Sequence, residues 1–100
     1  MGKQFGEKIR ELREKQHLYL RQVAPLLDMD TAQLSKIEKG KRQLKREQLS
    51  IIAEILKVSH DDLLTIWLAD QIFAIVKDED LASQAMKAAK QIMNEKKVKK

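Results

Sequence analysis

The sequence predicts an all-α fold, and three observations carry that prediction. Glycine and proline are confined to Gly2, Gly6, Gly40 and Pro25, too few to punctuate a chain of short strands and tight turns. No stretch alternates apolar and polar residues with period two over a useful length, whereas several repeat apolar residues at helical spacing. The breaks between these stretches coincide with capping residues such as Asp30, Gly40 and Ser59.

A chain of 100 residues is long enough for one modest core, and a domain of this size often covers more surface with a partner. Apolar residues make up 43% and charged residues 35%, a globular rather than a disordered balance. The net charge of +5 and a pI near 9.5 favour an anionic partner, nucleic acid or acidic membrane. There is no cysteine, which excludes disulfides, thiolate chemistry and a Cys-type zinc site. The opening "MGKQFGEKIRELREK" has no apolar core of a signal peptide, and no apolar run is long enough to span a bilayer. A cytoplasmic protein with no membrane association is the expectation.

The first helix is expected over Phe5 to Lys15, where Phe5, Ile9 and Leu12 recur on one face and Lys8, Arg10, Arg13 and Glu14 occupy the wet face. "QHLYL" interrupts it. A short second helix follows from about Leu20 to Leu27, with Val23, Ala24 and Leu27 inward. Its start is poorly marked, because Tyr19 stands where Ser or Thr would cap. Pro25, near its end, costs a backbone hydrogen bond. Asp28-Met29-Asp30 makes a tight break, and Asp30 caps a third helix, Thr31 to Lys39, with Leu34 and Ile37 inward and Gly40 ending it. The fourth helix spans about Lys45 to Leu56 on the stripe Leu49, Ile52, Ala53 and Leu56. Ser59 with Asp62 opens a fifth, His60 to about Lys77. "DED" at Asp78 to Asp80 re-caps the chain for a sixth helix, Leu81 to about Glu95. The Lys-rich end at 96–100 is expected to fray.

Function concentrates between Leu20 and Arg46. Two short helices joined by about three residues cross steeply, and Ala24 is small enough to permit it. The third helix turns outward Thr31, Ala32, Gln33, Ser35 and Lys36. These types can read base edges in a major groove: Gln suits adenine, Lys suits guanine, and a methyl suits thymine. The cations Lys39, Lys41, Arg42, Lys45 and Arg46 follow, where they would lie along phosphate and displace counterions.

The segment "IRELREKQHLYLRQVAPLLDMDTAQLSKIEKGKR" resembles the phage-repressor (Cro/cI-like, XRE) helix-turn-helix family. The pattern is Arg10-x-Leu12-Arg13, then Val23-Ala24, then Leu34-Ser35-x-Ile37-Glu38-x-Gly40-Lys41-Arg42, and the resemblance covers about Phe5 to Leu64. It implies a five-helix, lambda-repressor-like DNA-binding domain whose third helix enters the major groove, here with an additional C-terminal helix. It also implies an ion pair between Arg10 and Glu38 that locks the first helix to the third. The chain departs from the family at three places. Tyr19 and Leu20 replace a Ser-Gln pair whose Gln holds a phosphate, leaving Arg21 or Gln22 to substitute. Asp28 stands for a turn glycine, and Leu44 for a proline.

Residues 1–64 are thus expected to form the DNA-binding core, 65–95 a helical dimerisation extension, and 96–100 a basic tail. The extension carries more apolar side chains than one small core requires, led by Trp67, Ile72, Phe73, Val76, Leu81, Met86 and Ile92, which suggests burial against a second subunit. Ser59-His60-Asp61 holds triad residue types, but a helix start explains it. His17 and His60 are isolated, so no metal site is expected. No nucleophile-base pair or phosphate-cradling glycine loop is present, and neither an enzyme nor a cofactor is expected. A basic membrane-binding helix is disfavoured because the charge sits on a capped helix and its loop. The expected function is sequence-specific binding of double-stranded DNA by a homodimeric repressor or autoregulatory controller, of the phage or restriction-modification type, on a palindromic operator. The alternative is an antitoxin that holds a toxin with its C-terminal helices and represses its own operon.

Overall fold

A computed structural model describes residues 3–98, and all its regular elements are helical. The α-helices are α1 (Lys3–Lys15), α2 (Leu20–Val23), α3 (Thr31–Glu38), α4 (Leu49–Leu56), α5 (His60–Val76) and α6 (Ala82–Val98). Single 3-10 turns cover Ala24–Leu27 and Arg46–Gln48. The first five helices enclose one core, in which Ile9, Val23, Leu34, Leu49, Ile52, Leu56 and Leu63 are buried almost completely. α1 lies against α3 and α5, and α4 closes the other side against α5.

The second helix departs from expectation in an instructive way. Its α-helical part stops at Val23, and the chain tightens into a 3-10 turn whose first residues are Ala24 and Pro25. Proline has no N–H to return to the preceding turn and its ring would strike the carbonyl there, so the α-helix ends before it. At the head of the 3-10 turn that missing donor would have had no partner anyway. Asp28 then takes the left-handed conformation (φ 55°, ψ 42°) and reverses the chain. Aspartate reaches that region more readily than most non-glycine residues, so the turn closes without the glycine.

α3 is bounded as its sequence requires. The Asp30 carboxylate accepts the Gln33 N–H at 2.8 Å. At the other end, the Lys41 N–H reaches the Lys36 carbonyl at 2.8 Å and the Gly40 N–H reaches Ile37 at 3.1 Å, with Gly40 at φ 76°. This pair of bonds is a Schellman stop. Gly6 has a different task. A Cβ there would collide with the Ile37 carbonyl oxygen and come within 2.6 Å of that of Glu38, so its missing side chain sets how closely α1 approaches the end of α3.

Two long-range ties extend the core beyond the expected limit at residue 64. Trp67, on α5, donates its indole N–H to the Leu44 carbonyl at 2.8 Å. Asp70, one turn later and buried, accepts the Phe5 N–H at 2.7 Å, capping the first turn of α1 with a carboxylate from a distant helix. Beyond that turn α5 leaves the core. α6 stands off the body: from Ser83 to Lys96 every residue is exposed. A Cα radius of gyration of 15.7 Å exceeds the ~13 Å of a compact chain of this length. The helix runs past its expected end at Glu95 to Val98, and Lys99 and Lys100 lie outside the described residues. No described helix is long and apolar enough to cross a membrane.

Candidate nucleic-acid interface

α3 buries Leu34, Ile37 and Glu38 and turns the opposite side to solvent. Of the five residues expected to face bases, Thr31, Ala32 and Lys36 are fully exposed, and Gln33 and Ser35 are half-buried at the margins of that face. The helix is eight residues long, about 12 Å at helical rise.

All seven residues expected to meet phosphate are exposed: Arg21, Gln22, Lys39, Lys41, Arg42, Lys45 and Arg46. They fall into two groups, one before and one after α3 in the chain. Arg21 belongs to α2, where its guanidinium sits 4.5 Å from the centroid of the Tyr19 ring, a cation-π stack that holds the side chain outward. Gln22 is less free than its sequence position implies, because its amide oxygen accepts the Tyr19 N–H at 2.7 Å. No side chain caps the first turn of α2, and the Gln22 N–H turns back to the Tyr19 carbonyl at 3.0 Å. The remaining five residues belong to the end of α3 and the basic loop.

That loop is irregular yet well anchored. Leu44, at the family's proline position, is 2% exposed and pins the middle of the loop into the core, while its carbonyl takes the Trp67 indole N–H. At the loop's end the Gln48 side chain accepts the Lys45 N–H at 3.1 Å and donates to the Leu27 carbonyl at 3.0 Å. One amide thus joins the basic loop to the turn between α2 and α3. The lysines and arginines that flank Leu44 are all exposed.

The ion pair that locks α1 to α3 uses a different arginine from the one expected. Glu38 is bound by Arg13, through Nε to Oε2 at 2.8 Å and an Nη–H to Oε1 at 3.1 Å. Arg10 instead lies exposed and reaches only Glu14, at 3.4 Å. Helical phase explains the correction. Arg13 follows Phe5 and Ile9 at intervals of four on the buried side of α1, and Arg10 is turned away by one residue. Arg13 also donates to the Leu18 carbonyl at 2.8 Å, which closes the bend around His17 (φ 59°). The bidentate hydrogen bond to Glu38 holds the guanidinium above its ordinary pKa against the cost of burial, and the charges of Glu38 and Glu14 add to it.

Trp67, expected at a subunit interface, is half-buried in its own chain, where it packs against the core and its indole N–H holds the basic loop. The other candidates lie elsewhere. Ile72, Phe73, Leu81, Met86 and Ile92 are exposed, and half-buried Val76 lies among them on the part of the chain that leaves the core. No group of three or more His, Asp or Glu comes together to hold a metal among the described residues.

Comparison with known proteins bears on the same segment. The helix-turn-helix family model matches residues 9–63. Over 61 residues the chain is 38% identical to the HTH-type transcriptional repressor RghR of Bacillus subtilis (strain 168), a match covering 60% of this chain and 45% of that protein. It is also 38% identical over 61 residues to the uncharacterized HTH-type transcriptional regulator RghRB of the same organism, covering 60% of this chain and 44% of that one. The chain therefore matches less than half the length of these curated relatives. No solved structure matches it.

Proposed function

Because the chain belongs to the XRE-type helix-turn-helix family, we propose that it is a sequence-specific DNA-binding transcriptional regulator that acts on a two-fold operator as a homodimer, with α3 in the major groove. The observation that carries this reading is an exposed, Asp-capped α3 that the chain brackets with exposed cations, Arg21 before it and the anchored loop from Lys41 to Arg46 after it. Polar side chains on α3 supply contacts to base edges, and the flanking cations supply the salt-dependent hold on phosphate. The two anchors of the loop, Leu44 and Gln48, keep its charge at a fixed offset from α3, which is what register on a duplex requires. The names of the two relatives support a regulator, and that of RghR a repressor.

One such domain reads a single half-site, and two copies about one helical turn apart supply useful affinity. The exposed apolar run on α5 and α6 supports a homodimer. The same run would suit a toxin held by an antitoxin, the second reading; a purified protein that stays monomeric and binds its genomic neighbour's product would select it.

Selection of genomic fragments by the purified full chain, followed by sequencing, tests the main reading. A recurring palindrome bound at least a thousandfold more tightly than random DNA, in the range specific regulators reach, is the expected result. Recovery of unrelated sequences would overturn it.

A further inference from the structure

The end of α5 and the start of α6 form a V whose inner walls are mostly apolar: Ala69, Ile72, Phe73 and Val76 on one side, Ala82, Ser83 and Met86 on the other. On α6 the row that begins with Ala82 and Met86 continues at helical spacing through Ala89 to Met93. Only its first two members reach the V. Met93 lies eleven residues beyond Ala82, about 16 Å along the axis, where its own chain has nothing to set against it. Met93 is 60% exposed and the adjacent Ile92 55%. The proximal half of α6 is thus part of a groove without an occupant, and the distal half is a ridge without a groove.

Two such helices from two copies satisfy each other when they run antiparallel. We infer that the distal half of each α6, centred on Ile92 and Met93, lies over the partner copy's α5–α6 groove, so that the two helices cross near Ala89 on the two-fold axis. The inference rests on the homodimeric reading above and adds the orientation and register of its interface. Three observations support it.

The first is reciprocity: a closed two-fold contact needs a surface complementary to itself, and a groove and a ridge on one helix provide it. The second is area. Ile72, Phe73, Leu81, Met86 and the Ile92–Met93 pair are each between 44% and 65% exposed. Together they leave on the order of 650 Å² uncovered, most of what one partner gives to a standard-size interface. The third is charge. Asp78, Glu79 and Asp80 precede α6, whereas Lys96 stands at its far end and the sequence goes on with Lys97, Lys99 and Lys100. Antiparallel pairing sets the basic end of one helix beside the acidic start of the other and aligns the two helix dipoles favourably. Parallel pairing sets like against like. Lys87 lies away from the apolar row of α6 and Lys90 borders it near the crossing point, so neither favours one orientation over the other.

The chain has no cysteine, so single thiols report the orientation in the full-length protein. Laying Met93 over the groove brings it opposite the partner's Ala85. Purified Ala85→Cys and Met93→Cys proteins are each oxidised alone and after mixing, without DNA, and the covalent dimer is measured on a non-reducing gel. The mixture should give at least tenfold more cross-linked dimer than either protein alone. Efficient self-linking of Ala85→Cys would mean parallel helices or a different antiparallel register, and would overturn the inference while leaving the homodimer standing. The unmodified protein sedimenting as a monomer at tens of micromolar would overturn the inference and the homodimer together. Selection of a DNA sequence by the unmodified chain is read separately from both.

Discussion

Arg13 and Glu38 bind each other through two hydrogen bonds, at 2.8 and 3.1 Å, that fasten α1 to the last turn of α3. Both are nearly buried, at 9% and 6% exposure, so the loss of either leaves the other charge without compensation. Arg13→Ala should lower stability by about 3–5 kcal/mol. Arg10→Ala removes only an exposed pair on one helix face and should cost less than about 0.5 kcal/mol. Urea unfolding of the two variants makes the comparison, and equal losses would return Arg10 to the lock. Because the pKa of Arg13 is raised in the folded protein, its contribution is complete below the ordinary arginine value and is lost only as pH rises through the higher folded value. The arginine half of the lock therefore does not vary across the neutral range.

Lys36 is the exposed cation in the last turn of α3. Lys36→Ala should cost about 1–3 kcal/mol on the selected operator and markedly less on random DNA, as a base contact does. Titration of both DNAs under one salt condition decides it. Equal losses would make Lys36 a phosphate contact.

Arg42 and Arg46 flank the pinned Leu44 and are free to lie along the backbone. Replacing both with Ala should reduce the slope of log affinity against log salt by roughly two, nearly one for each phosphate contact. Specificity for the operator over random DNA should change little. A slope that does not move would remove the loop from the interface.

Gly6→Ala tests the approach of α1 to α3. In an open helix this change stabilises by about 0.5–1 kcal/mol. Here the new Cβ meets the Ile37 and Glu38 carbonyl oxygens, so the sign should reverse, to a loss of about 1–3 kcal/mol as in other overpacked sites. A raised melting temperature would show that α1 can shift without cost.

Lys57 takes the left-handed conformation at the end of α4 (φ 58°, ψ 46°), which costs a side-chain-bearing residue about 1–2 kcal/mol. Lys57→Gly relieves that strain but gives the unfolded chain more freedom. The net should be a gain of roughly 0.5 kcal/mol, visible as a higher urea midpoint with an unchanged slope.

Much of the fold was legible because helix ends are local events. Asp30 and Gly40 fixed α3 to within a residue, and Ser59 the start of α5, since each acts on a backbone group a few positions away. The exposed face of α3 followed from its buried Leu34 and Ile37 by phase alone. What escaped depends on partners far along the chain. Trp67 reads as one apolar residue among many until its N–H finds a carbonyl 23 residues back, and Asp70 reads as a solvent-facing acid until it caps Phe5 across 65. The partner of Glu38 differs from these in kind: the interval of four from Phe5 through Ile9 points to Arg13 by phase alone, whereas the family pattern points to Arg10.

Trp67 is the sole tryptophan of the chain, and its indole N–H ends on the backbone of the basic loop. Excited at wavelengths that the tyrosine does not absorb, the protein therefore emits from one place, the seam between α5 and the loop. Any change in how the loop is held alters the polarity and hydrogen bonding around that single emitter. The molecule carries its own optical gauge of loop engagement, so stopped-flow mixing with unlabelled DNA can time that engagement without any dye.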